Sequence, residues 1–487
     1  MSDRDLTAVL HLVEQLQPAL EGSDRAALKE IIAQLIARRA PMGRQWQSLA
    51  KIAATIGEHS LSRRAIDLFV EASGDGYAGR YQKAALLAEA GLLHEADALL
   101  RSLPEDVPDP VSHAYTRGVT ALNLGRRDEA RRLLEHVTRA RPEVGSAWLM
   151  LAMSADIASE PALAERLAGA ERSIENAVPT QRAAYYYALG IVHADRGEHA
   201  PAFAAFARGA GCMKVVAKYD RDKDRAEAAE AVRDYSAERV AAIARRQPEP
   251  TGRAIFATGL PRSGTTLVQQ ILTSHSAVSD GAEMGGLALL AMDTGGRSHS
   301  ALARYVEAKG AASAAQLWRH LLDERFPAPG RVVDKATDTS RFFGLAAALL
   351  PEAPLIWTTR DPLDRAWSCF RTNFLGGAVP WSYDLEDIAA HFRLEDELLA
   401  QWQRILGERL LVVPYESLVS EPAAWIRRIL THCGLAEEAR TFAPHQNRQA
   451  VATASLMQVR RPINREAIGS AGPYRQFLGP FVEAYYR

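Results

Sequence analysis

The sequence predicts a chain in two parts, an all-helical solenoid followed by an α/β three-layer domain with a mainly parallel sheet. Three observations predict this. Gly57, Gly91 and Gly125 stand 34 residues apart in a helix-rich first half. Apolar runs of strand length alternate with helical stretches after residue 251. The first of those runs ends in a glycine turn that opens a helix. Residues 1–210 are assigned to the solenoid, 211–250 to a connecting helical segment and 251–487 to the α/β domain.

Size and charge bound the function. A chain of 487 residues exceeds one ordinary core. Lys and Arg total 58 against 59 Asp and Glu, a balance that argues against a nucleic-acid partner or general membrane attraction. Cys212, Cys369 and Cys433 lie far apart, with neither a disulfide framework nor zinc spacing, which fits a reducing compartment. The stretch MSDRDLTAVLHLVEQLQPALEG reads as an amphipathic helix rather than a signal peptide. No apolar run approaches membrane-spanning length. The expectation is a cytoplasmic protein with no membrane span and no metal.

In the first half the period continues past Gly125 to Ser159, and Gly197 follows after 38 residues. Seven residues before each turn stands a small residue: Ala50, Ala84, Gly118, Ala152 and Gly190. Ala96, Ala130, Ala164 and Ala202 lie five after their turns, while Ala65 comes three residues late. Two antiparallel helices need a small residue where they cross, and the turn between them needs Gly or a near substitute. A 34-residue period with these offsets resembles the tetratricopeptide repeat. Residues 1–42, with the turn Glu21-Gly22-Ser23, read as a divergent capping pair. The concave face of such a solenoid binds peptide or another protein. His59, His94, His113, His193 and His199 are scattered and read as surface or packing residues. The charged run in 211–250 reads as a solvated helix face, ended by Gln247-Pro248-Glu249-Pro250. With a boundary here, removal of residues 1–210 is expected to leave nucleotide binding largely intact.

Ala254–Thr258 is the first strand-like run, broken by Gly259 and Pro261. Gly264-Thr265-Thr266 then opens a helix with Leu267, Val268, Ile271 and Leu272 on its apolar face. Gly259-x-x-x-x-Gly264 has the spacing of a phosphate-binding loop, and a helix N-terminus offers unpaired N–H groups and a positive dipole end. Triphosphate-binding loops carry Lys after the second Gly, where this chain has Thr265; the nearest cation is Arg262. Such a loop suits a short 5′ anionic tail. Three more runs follow: Arg331–Val333 leads to Asp334-Lys335, Leu355–Thr359 to Arg360, and Leu410–Val413 to Pro414-Tyr415. Ligands of parallel sheets bind beyond the carboxyl ends of the strands, so these residues converge on one site.

The loop Pro261-Arg262-Ser263-Gly264-Thr265-Thr266 resembles the 5′-phosphosulfate loop of sulfotransferases, most closely the tyrosylprotein sulfotransferase branch. The resemblance covers the α/β domain. It implies 3′-phosphoadenosine 5′-phosphosulfate as co-substrate, cradled by Arg262, Ser263, Gly264, Thr265 and Thr266. It implies that Glu283, 21 residues after Arg262, takes the proton of the acceptor hydroxyl. Lys335 would stabilise charge on the leaving phosphate. Arg360 and Ser368 would hold the 3′-phosphate, to which a guanidinium fork is suited. Tyr415 would lie near the nucleotide and Ser455 would meet the phosphosulfate. Gln458, Val459, Arg460, Pro462 and Asn464 would close over the nucleotide as a loop.

Two departures narrow the resemblance. Ser470 stands where the family commonly has Lys or Arg, and Arg475 is the candidate to reach the same phosphate. Met284-Gly285-Gly286 replaces an Arg that meets acidic peptides, which argues against an acidic tyrosine peptide as acceptor. The expected activity is sulfuryl transfer to a hydroxyl of a protein, peptide, sugar or small alcohol, with the repeats available to recruit a protein or peptide. A nucleoside-triphosphate phosphotransferase is the enzyme alternative, opposed by Thr265 and the lack of a clear Mg²⁺-binding carboxylate. A non-catalytic repeat scaffold is the other, opposed by the presence of Glu283, Lys335 and Arg360.

Overall fold

Helix follows helix from Asp3 to Ala244, and the first strand begins only at Ala254. The computed structural model describes residues 3–74, 76–281, 283–336, 338–374, 377–447 and 461–487. The helices of the first half are α1 (Asp3–Glu21), α2 (Arg25–Ala37), α3 (Gln45–Thr55), α4 (His59–Ala72), α5 (Tyr77–Glu89), α6 (Leu93–Ser102) and α7 (Pro110–Asn123). They continue as α8 (Arg127–Ala140), α9 (Gly145–Ser154), α10 (Pro161–Gly169), α11 (Glu171–Ile174), α12 (Pro179–Asp195) and α13 (His199–Val216).

The periodic glycines explain where these helices turn. Gly57, Gly91, Gly125 and Gly197 have φ of 83°, 79°, 79° and 74°, the left-handed conformation that a helix C-terminus favours in Gly. Each turn joins two helices that pack on one another, α3 with α4, α5 with α6, α7 with α8 and α12 with α13. A Cβ on Gly190 would lie 2.6 Å from the Phe206 ring, so α12 and α13 touch where only Gly fits. Five residues after Gly57 stands Ser62, buried like Ala96, Ala130 and Ala202, whereas the expected turn at Ser159 is the end of a short 3-10 helix without a left-handed φ.

The connecting segment holds α14 (Arg221–Val232) and α15 (Ala237–Ala244). The expectation of a solvated face holds for Arg221, Asp222 and Arg225 and fails for the opposite face. Ala228, Ala231, Tyr235, Val240 and Ile243 lie in the core on one side of the sheet. Asp224 pairs with Arg341 at 2.7 Å and His391 at 2.6 Å. Apolar residues three and four apart among the charges produce this inward stripe.

Five parallel strands follow: β1 (Ala254–Thr258), β2 (Val278–Asp280), β3 (Arg331–Asp334), β4 (Leu355–Thr359) and β5 (Leu410–Pro414), ordered β2-β3-β1-β4-β5. The helices between and after them are α16 (Thr265–Thr273), α17 (Gly286–Thr294), α18 (His299–Lys309), α19 (Ala311–Asp323), α20 (Phe343–Leu349), α21 (Pro362–Phe370), α22 (Leu385–Leu406), α23 (Tyr415–Ser420), α24 (Pro422–His432) and α25 (Gly479–Tyr486). β1 is buried at every position. Ile255 and Ala257 pack with Val268 and Ile271 of α16 and Ile429 of α24. Phe256 packs on the other side with Trp318 of α19 and Leu345 of α20. Helices thus cover both faces, as a parallel sheet requires.

A further core runs through both parts of the chain. Phe203 of α13 stacks on Trp367 and Phe370 of α21 and on Phe477, with centroids 6.1, 5.5 and 4.8 Å apart. The buried Tyr187 hydroxyl of α12 donates to the Phe370 carbonyl at 3.2 Å. No helix among the described residues is long and apolar enough to cross a membrane.

Candidate active site

Every strand delivers a residue to the same carboxyl edge. β1 ends in the loop Gly259–Gly264, β3 in Lys335, β4 in Arg360 and β5 in Tyr415. β2, which the sequence reading did not identify, leads to Glu283. The loop needs glycine at both ends. A Cβ on Gly259 (φ 145°) would meet Thr358 Oγ1 at 2.4 Å, and one on Gly264 (φ 99°) would meet the Tyr415 ring at 2.7 Å. Arg262 also takes a left-handed φ, 68°, unfavourable for a residue with a side chain.

That strain sets Arg262 among other cations. Its Nε donates to Ser368 Oγ at 2.9 Å. Arg360 donates from Nη1 to the Arg262 carbonyl at 3.0 Å and from Nη2 to Ser470 Oγ at 3.3 Å, and its guanidinium lies 5.1 Å from the Tyr415 ring centroid. Burial, and then Arg371 and Arg360, push the Arg262 guanidinium down to about 10. Burial lowers Arg371 as well. Like charges held together out of water are costly until an anion joins them. Between them lies a cavity of about 250 Å³ lined by Arg262, Gly264, Thr266, Arg360, Arg371, Tyr415, Arg461, Asn464 and Ser470 among others.

Lys335 is buried beside this loop, since Thr258 Oγ1 donates to the Ala336 carbonyl at 3.3 Å. Its Nζ donates to Glu283 Oε1 at 2.5 Å. The pair is asymmetric: the Lys335 side chain is 4% exposed and that of Glu283 54%. Below it, Asp334 faces the backbone N–H groups of Met284, Gly285 and Gly286 at the start of α17. Burial and the Asp338 carboxylate push Asp334 up to about 7, against the pull of those N–H groups.

The description Sulfotransferase family fits residues 254–439. The likeness to that family thus begins with β1 and ends shortly after α24. An uncharacterised protein of Aquifex aeolicus is 27% identical over 418 residues, 82% of this chain and 54% of that protein. The chain therefore spans about half the length of this curated relative. Among solved structures, a sulfotransferase from Mycobacterium avium is 17% identical, with a TM-score of 0.30, covering 49% of this chain and 80% of its own. A mouse sulfotransferase complexed with PAP is 12% identical, with a TM-score of 0.30, covering 51% of this chain and 89% of its own.

Within the matched segment and the one after it, the expected residues do not all face the cavity. Arg262, Gly264, Thr266, Arg360, Tyr415 and Asn464 line it. Ser263 turns its hydroxyl to Thr358 Oγ1 at 2.6 Å, and Thr265 is buried at the first turn of α16. Ser368 is buried, its Oγ accepting from Arg262 Nε, and is absent from the cavity lining. Ser455, Gln458, Val459 and Arg460 lie outside the described residues. Ser470 lines the cavity, whereas Arg475 is exposed and absent from its lining.

Arg371 and Arg461 supply cations that the sequence reading missed. The signal for Arg371 was its place three residues after Ser368, at the end of α21, on the helix that the loop already addressed. Asp364 of α21 also shapes the site. Its carboxylate accepts from the N–H groups of Gly469 at 2.6 Å and Ala471 at 2.8 Å, fixing the segment that carries Ser470. His275, the nearest alternative base in sequence, lies 3.1 Å from the Ala436 carbonyl and 3.5 Å from Glu438.

Proposed function

We propose that this chain transfers a sulfuryl group from 3′-phosphoadenosine 5′-phosphosulfate to an acceptor hydroxyl. The observation that carries the reading is the meeting of Lys335 and Glu283 at 2.5 Å, beside the loop Gly259–Gly264. The residues fit that donor. The loop approaches with backbone only, and Arg262, Arg360, Arg371 and Arg461 line one cavity. When bound, the donor supplies an activated sulfuryl group on a phosphate leaving group.

The chain's own groups then divide the work. The amides of the loop and the N-terminus of α16 hold the 5′ end. Arg360, with Arg371 on the neighbouring helix end, takes the 3′-phosphate in place of the basic residue absent at Ser470. Buried Lys335 lies on the donor side and bears charge onto the leaving oxygen. Exposed Glu283 lies on the acceptor side and receives the hydroxyl proton. In the described state the two neutralise one another, so Lys335 must turn from Glu283 to the donor before Glu283 can act as base. The helical half is read as a tetratricopeptide-type solenoid, on the support of its left-handed glycines and buried small residues. Its partner on this reading is a protein or peptide acceptor, recruited in a reducing, cytoplasmic setting.

Thermal stabilisation separates this from the alternatives. Adenosine 3′,5′-bisphosphate should raise the melting temperature more than ATP with Mg²⁺. A preference for ATP would point to the phosphotransferase, and no response to either would point to a scaffold. Sulfur-labelled donor in a cell lysate then identifies the acceptor by its labelled product.

A further inference from the structure

Helix α17 starts three residues after Glu283, and its far end is gripped by the helical half. Arg25, the first residue of α2, is 6% exposed. Its Nε lies 3.1 Å from both oxygens of Asp293, in the last turn of α17, and its Nη2 lies 3.0 Å from Asp293 Oδ2. Its Nη1 donates to Glu58 Oε1 at 2.9 Å. Glu58, 1% exposed, also meets Lys29 at 3.1 Å and His320 of α19 at 3.0 Å. Glu58, His320 and Glu324 have the donor atoms of a metal site, but Lys29 Nζ stands 3.0 Å from His320 Nε2, so cations of the chain already neutralise the group.

Apolar contacts fasten the same place. A Cβ on Gly57 would lie 2.8 Å from Leu289 of α17 and 2.5 Å from Leu321 of α19. The far end of α17 is held by Arg25, and Leu289 in its middle lies against Gly57, while its first residue stands three after Glu283. A planar guanidinium shared between two carboxylates fixes distance and angle together, which an ammonium cannot do.

We propose that Arg25 is a positioning residue for Glu283. The first helical hairpins serve as a fixed abutment for α17, and α17 sets the reach of the catalytic carboxylate. On this proposal the helical half governs the rate of transfer as well as recruitment. It rests on the reading of Glu283 as base.

The test uses the full chain and measures sulfate release from the labelled donor with water as the acceptor, so no acceptor need be known. The variants are Arg25→Lys, Asp293→Asn, the exchanged pair Arg25→Asp with Asp293→Arg, and Glu283→Gln. Misplacing a reacting group by about 1 Å costs about 10²-fold, so Arg25→Lys and Asp293→Asn should lower the rate at saturating donor by about 10–100-fold. The affinity for adenosine 3′,5′-bisphosphate should stay within about twofold. Amide exchange should quicken across 283–294 but not across 259–266, and the exchanged pair should recover part of the rate. Unchanged rates in folded Arg25→Lys and Asp293→Asn proteins, with Glu283→Gln inactive, would overturn the positioning role alone. So would equal loss of rate and nucleotide affinity, which marks a general structural defect. Full activity in Glu283→Gln would overturn the base assignment instead.

Discussion

Glu283 and Lys335 are separated by 52 residues of sequence and meet in one ion pair. Glu283→Gln should lower turnover by about 10²–10⁴-fold, the usual contribution of a general base. Donor affinity should hold or tighten, because Lys335 is released from its carboxylate. Lys335→Ala should lower the rate and also weaken donor binding, since part of its charge acts in the ground state. Steady-state rates and calorimetric titration with adenosine 3′,5′-bisphosphate check the contrast. Asp334 predicts a pH effect. Its carboxyl is raised from 3.8 to about 7, so its contribution to stability is full below the unfolded value and is lost as pH rises through about 7. Asp334→Asn, which mimics the neutral form, should flatten the decline in melting temperature between about pH 4 and pH 7. At this scale, residues that end strands were legible, because a polar residue closing an apolar run has a defined position at the sheet edge. Arg371 and Arg461 were not, because an Arg at a helix end or in a loop reads as surface until its neighbours are known. The hydroxyl directions of Ser263 and Ser368 depend on Thr358 and Arg262, which sequence does not bring near.

Elements were legible in proportion to their apolar pattern. β1, β4 and β5 are short, largely apolar runs and β3 has Val332-Val333 at its centre, whereas β2 is only Val278-Ser279-Asp280, with one apolar residue. The segment around Ser470 was legible as a departure from a family pattern but not as a structural unit. Its anchoring by Asp364 makes it testable. Asp364→Asn keeps one acceptor for two N–H groups, and loss of a hydrogen bond to a charged group costs about 1.5–3 kcal/mol. Nucleotide affinity should therefore fall about tenfold or more by calorimetry, while Glu283 and Lys335 are untouched. An unchanged affinity would mean that the segment closes without its anchor. The anchor also shows why α21 matters twice, since the helix carries Ser368 on one turn and Asp364 on another.

At the scale of the molecule, the end of the solenoid expected at residue 210 falls inside α13 (His199–Val216), and the apolar packing crosses it. Phe203 and Phe206 of α13 lie against Trp367. Removal of 1–210 strips them away, so the remaining fragment should be insoluble or fail to bind nucleotide, unlike the expectation drawn from repeats alone. Trp367→Ala should cost about 3–5 kcal/mol, the usual price of an aromatic core deletion, and lower a single shared melting transition. Two separate transitions in calorimetry would show the halves to be independent. His59, at the junction with α19, is pushed down to about 4 by burial and then by Arg325. A depressed group adds stability that is present above its unfolded value of about 6.5 and lost as pH falls toward 4. His59→Gln should remove that part of the acid sensitivity, measured as melting temperature against pH.

The stack beneath Trp367 has a consequence for synthesis. Phe203 leaves the ribosome long before Phe370 and Phe477, its partners in the finished protein. Domains emerge N-terminus first, at about 5–20 residues per second, so this aromatic face waits roughly 10–60 seconds for its cover. Nascent chains arrested between residues 220 and 360 should therefore hold holdase chaperones on α13, and chains released after residue 481 should not.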